Sequence, residues 1–194
     1  MLIKEAILES EKVLVKKFLS EFNLGYDADI DYTLYVEDEK KVIATISTSK
    51  NIIKSFAVKK DYRGEIASSL ITEAINHLYK KGYTYYQVYT KCENKKIFEA
   101  LNFYEIISSD KVSLLESKNR SITKTLEKIK NDYAIKGTNI GTIVMNCNPF
   151  TLGHRYLIEE ARKNHDLLVI FVVEEDRSQF KFKDRFAMVK LGVS

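Results

Sequence analysis

An apolar stretch that runs into a proline turn and then into a helical pattern constrains this chain more than any other feature. Residues 140–145 are almost entirely apolar, and the run is broken at Asn148-Pro149. Because a residue before proline is driven toward extended backbone, this pair is expected to end a strand. A helical pattern begins near Gly153, whose missing side chain lets a ligand approach the backbone closely. The segment predicts a strand, a turn and a helix, with a binding site at the turn.

The turn itself reads Thr151-Leu152-Gly153-His154, which places a histidine at the start of the predicted helix. A helix N-terminus presents unpaired N–H groups and a partial positive charge, so it attracts phosphate oxygens. The His154 imidazole can donate a further hydrogen bond to such an oxygen. These residues indicate a binding site for a nucleoside triphosphate. The alternative is a surface histidine beside an ordinary turn.

Thr151 to His154 resemble the (His/Thr)-x-Gly-His signature of the adenylyl- and cytidylyltransferase superfamily. The wider stretch from Asn146 to Ala161, with 174–180 and 182–185, resembles the citrate lyase ligase family. The resemblance implies that this part binds ATP, with Mg²⁺ as the counter-ion of its phosphates, and activates acetate as acetyl-adenylate. It further implies acetyl transfer to the thiol prosthetic group of the acyl carrier subunit of citrate lyase.

The same resemblance assigns roles to individual residues. His154 and Thr151 are the expected catalytic residues, because attack on the α-phosphate builds charge on oxygens and needs fixed donors around them. For Arg155, a position at the triphosphate and a position in solvent stay equally open. The residues expected at the nucleotide are Asn146, Asn148, Pro149, Phe150, Gly153, Arg155, Glu174, Arg177, Ser178 and Arg185.

A second apolar run, from Asp166 to Val173, predicts a strand buried on both faces of a parallel sheet. Ligands of such sheets lie beyond the carboxyl ends of the strands, which brings 174–178 toward the nucleotide. Only two strands of a Rossmann-like nucleotidyltransferase sheet are expected before Ser194. We therefore expect a truncated ligase that is inactive by itself, with an exposed sheet edge that makes it sticky or dimeric.

Strand-like and helical segments alternate along the N-terminal part of the chain, and this pattern predicts a mixed α/β domain. The expected helices are Glu9–Glu21, Glu65–Lys81 and Lys95–Leu101. The expected strands are Tyr32–Val36, Lys41–Ser47, Ile52–Val58, Tyr83–Tyr89, Asn102–Ile107 and Lys111–Leu115.

Residues 52–70 resemble the acyl-coenzyme A site of the GNAT acetyltransferases, in which a strand splays and a glycine-rich loop holds the pyrophosphate of coenzyme A. The matching residues are Val58, Arg63, Gly64, Ala67 and, further on, Asn94. This chain lacks the second glycine of the loop, and the β-branched Ile66 near that place resists positive φ. The resemblance therefore implies a GNAT-like scaffold, with acetyl-coenzyme A as a doubtful ligand.

The predicted fold class is α/β, with a GNAT-like mixed sheet and helices followed by the first βαβ part of a Rossmann-like nucleotidyltransferase domain. Apolar residues spaced four, three and four apart from Ile122 to Tyr133 predict an amphipathic connecting helix. The predicted parts are a GNAT-like domain at 1–116, a linker helix at 117–136 and an incomplete cytidylyltransferase-like domain at 137–194.

Composition narrows the class of protein. A 194-residue chain with 45% hydrophobic and 30% charged residues is typical of a globular protein. The net charge of +4 comes from scattered lysines, which argues against nucleic-acid binding, and no apolar run reaches the roughly 18 residues of a membrane span. Cys92 and Cys147 have no metal-site spacing and indicate a reducing cytoplasm.

Three functions remain open on these observations. The first is the ATP-dependent ligase that acts on acetate and the acyl carrier subunit. The second is a GNAT acetyltransferase that uses acetyl-coenzyme A. The third is a non-catalytic domain that recognises the carrier subunit, whose acidic helix would suit a surface with excess lysine.

Overall fold

The structure is a computed structural model that describes residues 1–117, 121–174 and 179–193. The chain divides into two compact units, which we call unit 1 (Met1–Thr125) and unit 2 (Leu126–Ser194). Both units combine helices and strands. The finer division at 1–116, 117–136 and 137–194 stays a prediction.

Unit 1 is built on a single mixed sheet. Its strands are β1 Ile3–Glu5, β2 Tyr32–Asp38, β3 Lys41–Ser49, β4 Ile52–Val58, β5 Gln87–Lys91, β6 Phe103–Ser108 and β7 Val112–Ser117. Its helices are α1 Glu9–Glu21, α2 Glu65–Lys80 and α3 Lys95–Glu99. Among the described residues the strand order is β1-β2-β3-β4-β5-β7-β6, and neighbours are antiparallel except the parallel pair β4 and β5.

Helices cover both faces of this sheet, because side chains alternate along each strand. On β2, Leu34 and Val36 join the core beneath α2, whereas Tyr35 joins the core beneath α1. The buried residues of α2 recur at helical spacing, as an amphipathic helix requires. They are Ala67, Leu70, Ile71, Ala74 and Leu78.

Strands β4 and β5 pair over a short distance and then diverge. Their register joins Ile52 with Gln87 and Ile53 with Val88. Ser55, in the middle of β4, has a φ of 51°, which interrupts regular strand geometry. This splay agrees with the one expected from the sequence.

Unit 2 contains a strand, helix and strand followed by a further helix. The elements are β8 Ile140–Met145, α5 Leu152–Lys163, β9 Leu167–Val172 and α6 Phe182–Gly192. β8 and β9 are parallel, with Ile140 paired to Leu167 at one end and Met145 paired to Val172 at the other. Their carboxyl ends therefore lie at the same edge of the sheet. The buried core consists of Met145, Cys147, Ile158 and Val189.

The connecting helix, α4, spans Ser121–Asp132 and crosses the division between the two units. It has the predicted apolar stripe, but Leu126 and Tyr133 on that stripe are exposed. No helix of the described ranges is both long and apolar enough to span a membrane.

One strand predicted for unit 1 is misplaced, and a second strand is missing from the prediction. The strand predicted at Tyr83–Tyr89 begins at Gln87, because the residues before it are held by side-chain bonds: the Ser117 hydroxyl accepts from the Tyr86 N–H, and the Tyr85 hydroxyl donates to Glu116. Strand β1 was not predicted, since three residues are too few to show an alternating pattern.

Candidate functional site

The loop from β8 to α5 is sharply bent. β8 ends at Met145, the peptide Asn148-Pro149 is cis, and Cys147 has a φ of 52°. Cys147 is buried, and this burial raises the pKa of its thiol while the nearby Arg185 opposes the rise. The loop thus turns inward at Cys147 before α5 begins.

Thr151 and His154 form a reciprocal contact at the start of α5. Thr151 is the N-cap, and each residue's side chain faces the other's backbone in a capping box. The Thr151 N–H donates to Nδ1 of His154 over 3.1 Å, and Oγ1 of Thr151 lies 2.7 Å from that nitrogen. Because neutral imidazole carries one proton, acceptance at Nδ1 leaves the proton on Nε2 as a donor.

The His154 ring is positioned from its other side by aromatic packing. Its centroid lies 5.8 Å from that of Phe150, with 26° between the planes. Gly192, at the end of α6, packs so closely on Phe150 that an added Cβ would lie 2.3 Å from the ring. α6 therefore supports the histidine through Phe150.

Arg185 lies on α6, is fully buried and ties the ends of both strands together. Its Nη1 donates to the Asn146 carbonyl and Oδ1, each at 2.6 Å, and to the Val173 carbonyl at 3.0 Å. Its Nε donates to the Phe180 carbonyl at 3.1 Å. These bonds fix the carboxyl ends of β8 and β9 relative to α6.

The predicted nucleotide residues fall into different positions. Asn148 accepts from the Phe180 N–H at 3.0 Å, so it also joins the loop to the segment before α6. Arg155 pairs with Glu159 at 2.8 Å on the exposed face of α5. Glu174 is exposed just beyond β9.

The remaining predicted residues are quickly placed. Pro149 and Gly153 are exposed, and a Cβ on Gly153 would meet Thr151 Oγ1 at 3.7 Å. The surface at the first turn of α5 is thus open. Arg177 and Ser178 lie outside the described residues.

The arrangement offers hydrogen-bond donors where a phosphate group is expected. The carboxyl ends of two parallel strands meet the N-terminus of the 12-residue helix α5. The unpaired N–H groups of its first turn and Nε2 of His154 are suited to phosphate oxygens. The site can bind and orient an anion.

Sequence reasoning missed two supporting contacts of this site. The Gly192 contact with Phe150 and the backbone bond from Phe180 to Asn148 join residues more than thirty positions apart. Neither belongs to a short motif. A pattern read along the chain has no signal for them.

The residues of the GNAT-like loop lie in unit 1. Gly64 is the N-cap of α2 with a φ of 111°, Arg63 precedes it, and Ala67 is buried in the first turns. Val58 ends β4, one loop earlier. Asn94, at the start of α3, is buried and donates to the Thr90 hydroxyl at 3.1 Å. Arg63, Gly64 and Ala67 therefore lie together at the start of α2, whereas the Asn94 side chain bonds to Thr90 elsewhere.

Comparison with known proteins agrees with the resemblance seen in the sequence. Residues 140–194 match the family described as the citrate lyase ligase C-terminal domain. The chain is 36% identical to the citrate (pro-3S)-lyase ligase of Escherichia coli over 93% of its own length and 51% of that protein. Almost the whole chain is thus similar to citrate lyase ligases. The ligase of Haemophilus influenzae is 38% identical over 93% of the chain and 54% of that protein.

This similarity concerns about half of a ligase, since the chain spans about half the length of the curated relatives it matches. The family model covers the strand, helix and strand of unit 2 together with α6, and so includes Thr151, His154 and Arg185.

Solved structures establish the fold of about 60% of the chain. The crystal structure of Escherichia coli ElaA matches 60% of this chain and 99% of its own, with a TM-score of 0.52 and 12% identity. An acyl-CoA N-acyltransferase from Pseudomonas aeruginosa matches the same shares with a TM-score of 0.50 and 10% identity. Identities this low show the fold alone. The predicted α/β class with a GNAT-like sheet is confirmed.

Proposed function

We propose that this chain carries the ATP site of a ligase that activates acetate. An acetate oxygen bonds to the α-phosphorus of ATP, the bond to the bridging oxygen breaks, and pyrophosphate leaves with the electron pair. The acetyl-adenylate then passes its acetyl group to the thiol of the prosthetic group on the acyl carrier subunit of citrate lyase, which releases AMP.

The contact between Thr151 and His154 is the observation that carries this proposal. It holds the imidazole at the helix N-terminus with Nδ1 toward Thr151, which leaves Nε2 to donate to a ligand. A donor that is already oriented can stabilise charge that develops on phosphate oxygens without reorganising during the reaction. Thr151 acts chiefly by positioning His154.

Arg185 is proposed as a positioning residue rather than as a ligand of the phosphates. Its buried guanidinium donates to carbonyl oxygens of Asn146, Phe180 and Val173. These bonds keep the strand ends in the geometry that the site requires. Asn148 has a similar role through its bond to Phe180.

Mg²⁺ fits the site as an ion that enters with ATP. The described residues contain no group of three or more His, Cys, Asp or Glu side chains placed to hold a metal. Mg²⁺ often keeps several waters and binds substrate phosphates rather than a cage of protein ligands. When bound, it would neutralise part of the triphosphate charge beside the donors of α5.

The cellular setting and the arrangement of the chain belong to the same proposal. Cys92 and Cys147 are both free thiols, which supports a cytoplasmic location. We assign 137–194 to the nucleotide site, 1–116 to a GNAT-like scaffold and 117–136 to the connection between them.

Calorimetric titration of the chain with Mg-ATP tests the proposal. We expect saturable binding that His154→Ala weakens at least tenfold, because the Nε2 donor is lost. Glu160→Ala, a change at a half-buried residue nearly two turns further along α5 that loses an ion pair with Lys163, is the matched control and should leave the affinity unchanged. Equal affinity of the His154→Ala and unchanged chains would refute the assigned site.

A further inference from the structure

A narrow cleft lies in unit 1 where β4 and β5 diverge. Its cavity of about 130 Å³ is lined by residues of both strands and by the segment that follows α1. Acyl-coenzyme A is the ligand that the GNAT-like fold implies for such a splay. Cavities that hold ligands of ordinary size measure roughly 300–1,000 Å³, so this one is too small for a pantetheine arm.

The segment from Phe22 to Asp29 closes one side of the cleft and is held there by two lysines. Lys54 of β4 forms ion pairs with Asp27 at 2.8 Å and Asp29 at 3.1 Å. Lys91, at the end of β5, donates to the Phe22 carbonyl. Each of the two diverging strands therefore contributes one tie to the same segment.

Further contacts strengthen this attachment. The Ser55 hydroxyl donates to the Gly25 carbonyl at 3.3 Å, and the Ser49 hydroxyl donates to Asp29 at 2.7 Å. The bonds from Ser49 and Lys54 lower the pKa of the Asp29 carboxyl. The side chain of Lys54 is only 15% exposed, which limits screening of its ion pairs by water.

The place expected for the pyrophosphate is also unfavourable. Glu65 lies in the first turn of α2, where its carboxylate opposes a bound phosphate anion. Arg63, the cation just before the helix, is turned to Glu93 at 3.2 Å. Gly64 alone supplies the positive φ that the glycine-rich loop of the GNAT enzymes provides.

We infer that unit 1 has kept a GNAT-like fold but does not bind acyl-coenzyme A, because its own segment Phe22–Asp29, clamped by Lys54 and Lys91, closes one side of the cleft and leaves too little space for the ligand. The splayed strands serve to anchor this segment. This removes the acetyltransferase from the functions open to the chain and leaves unit 1 as a scaffold.

The direct test titrates the full chain with acetyl-pantetheine, which has no nucleotide, and with acetyl-coenzyme A, which has one. Both titrations are repeated on His154→Ala, with thermal unfolding as the control for folding. We expect no binding of acetyl-pantetheine to either chain up to millimolar concentration. Acetyl-coenzyme A that binds the unchanged chain but not His154→Ala is held through its nucleotide in unit 2, which agrees with the inference. Saturable binding of either probe to His154→Ala would overturn it.

A second measurement tests the clamp itself. Lys54→Met keeps the aliphatic stem but removes the charge, so we expect the thermal midpoint of unit 1 to fall by a few degrees. Lys50→Met is the matched control, because Lys50 bonds to Asp31 through its backbone N–H rather than its side chain. An unchanged midpoint for Lys54→Met would show that the segment is not held by this lysine, contrary to the inference.

Discussion

The backbone N–H of Thr151 points at Nδ1 of His154 across 3.1 Å, while the Thr151 hydroxyl lies 2.7 Å from the same nitrogen. One residue thus caps the helix and sets the tautomer of the histidine three positions later. Thr151 thus contributes both to helix stability and to ligand binding, but through different atoms: its hydroxyl caps the helix, and its backbone N–H orients His154. Substitutions can separate the two.

Thr151→Val removes the hydroxyl and keeps the backbone N–H. We expect unit 2 to lose about 1 kcal/mol of stability, the usual cost of losing an N-cap side chain. Mg-ATP binding should weaken only a few-fold, because the backbone bond to Nδ1 remains. Hydrogen exchange of the α5 amides and calorimetry measure the two effects. Thr151→Ser keeps the hydroxyl and should match the unchanged chain; a Thr151→Val chain as stable as Thr151→Ser would contradict the capping role.

Gly153→Ala should weaken Mg-ATP binding without a loss of stability. A Cβ at this position meets only ordinary contact distance, 3.7 Å to Thr151 Oγ1, and alanine favours a helix over glycine by up to about 1 kcal/mol. The added methyl group occupies the open surface where phosphate is expected. If affinity for Mg-ATP is unaffected, the phosphate does not approach α5 at Gly153.

Gly192→Ala should have the opposite balance of effects. Its Cβ would lie 2.3 Å from the Phe150 ring, which must shift, at a cost of roughly 1–3 kcal/mol for overpacking. The His154 ring, stacked beside Phe150, should then show altered NMR shifts. Unchanged His154 resonances would disprove the coupling between α6 and the histidine.

Arg185→Met should be among the most damaging single changes in unit 2. The substitution removes a fully buried guanidinium and leaves the carbonyl groups of Asn146, Val173 and Phe180 without their donor, at up to about 1–3 kcal/mol for each carbonyl that water does not reach. Arg185→Lys restores the charge but not the planar set of donors, so it should recover only part of the stability. Hydrogen exchange of unit 2 at increasing urea concentrations measures the free energy of unfolding of both variants. Full recovery by lysine would show that charge alone matters.

The sequence predicts the regular elements well where periodicity is strong. α1, β4 and β8 have the predicted bounds, at Glu9–Glu21, Ile52–Val58 and Ile140–Met145. The prediction is wrong for the segment before β5. Tyrosines favour strands locally, but hydrogen bonds from Tyr85 and Tyr86 to distant partners determine the backbone conformation there.

The site is predictable to the same degree and for the same reason. Thr151 and His154 lie three residues apart, so a motif along the chain contains their contact. Arg185 is different: its partner Asn146 is 39 positions away, and the burial of its guanidinium follows from how α6 packs. The sequence could indicate that arginine as a site residue but not that it supports the strand ends.

Acid should destabilise unit 1 through His77, a residue of α2. It is half-buried and stacked on Tyr32 at 3.4 Å, and burial, assisted by Lys81, lowers its pKa below 6.5 against the opposing charges of Asp31 and Glu5. The unfolded chain therefore takes up the proton at higher pH than the folded chain, so stability is lost as pH falls below about 6.5.

The variant His77→Phe isolates this effect, since phenylalanine keeps a ring against Tyr32 but cannot titrate. We expect the free energy of unfolding of His77→Phe to fall less than that of the unchanged chain between about pH 7 and pH 5. Denaturant unfolding at several pH values measures the difference. Parallel pH profiles for the two chains would rule out His77 as the cause.

Calorimetric titration of the unchanged chain with Mg-ATP, beside His154→Ala and Glu160→Ala, tests the central claim most directly. The account predicts saturable binding that is lost or weakened at least tenfold in His154→Ala and retained in Glu160→Ala. Binding of equal strength in all three chains would contradict a nucleotide site at the N-terminus of α5.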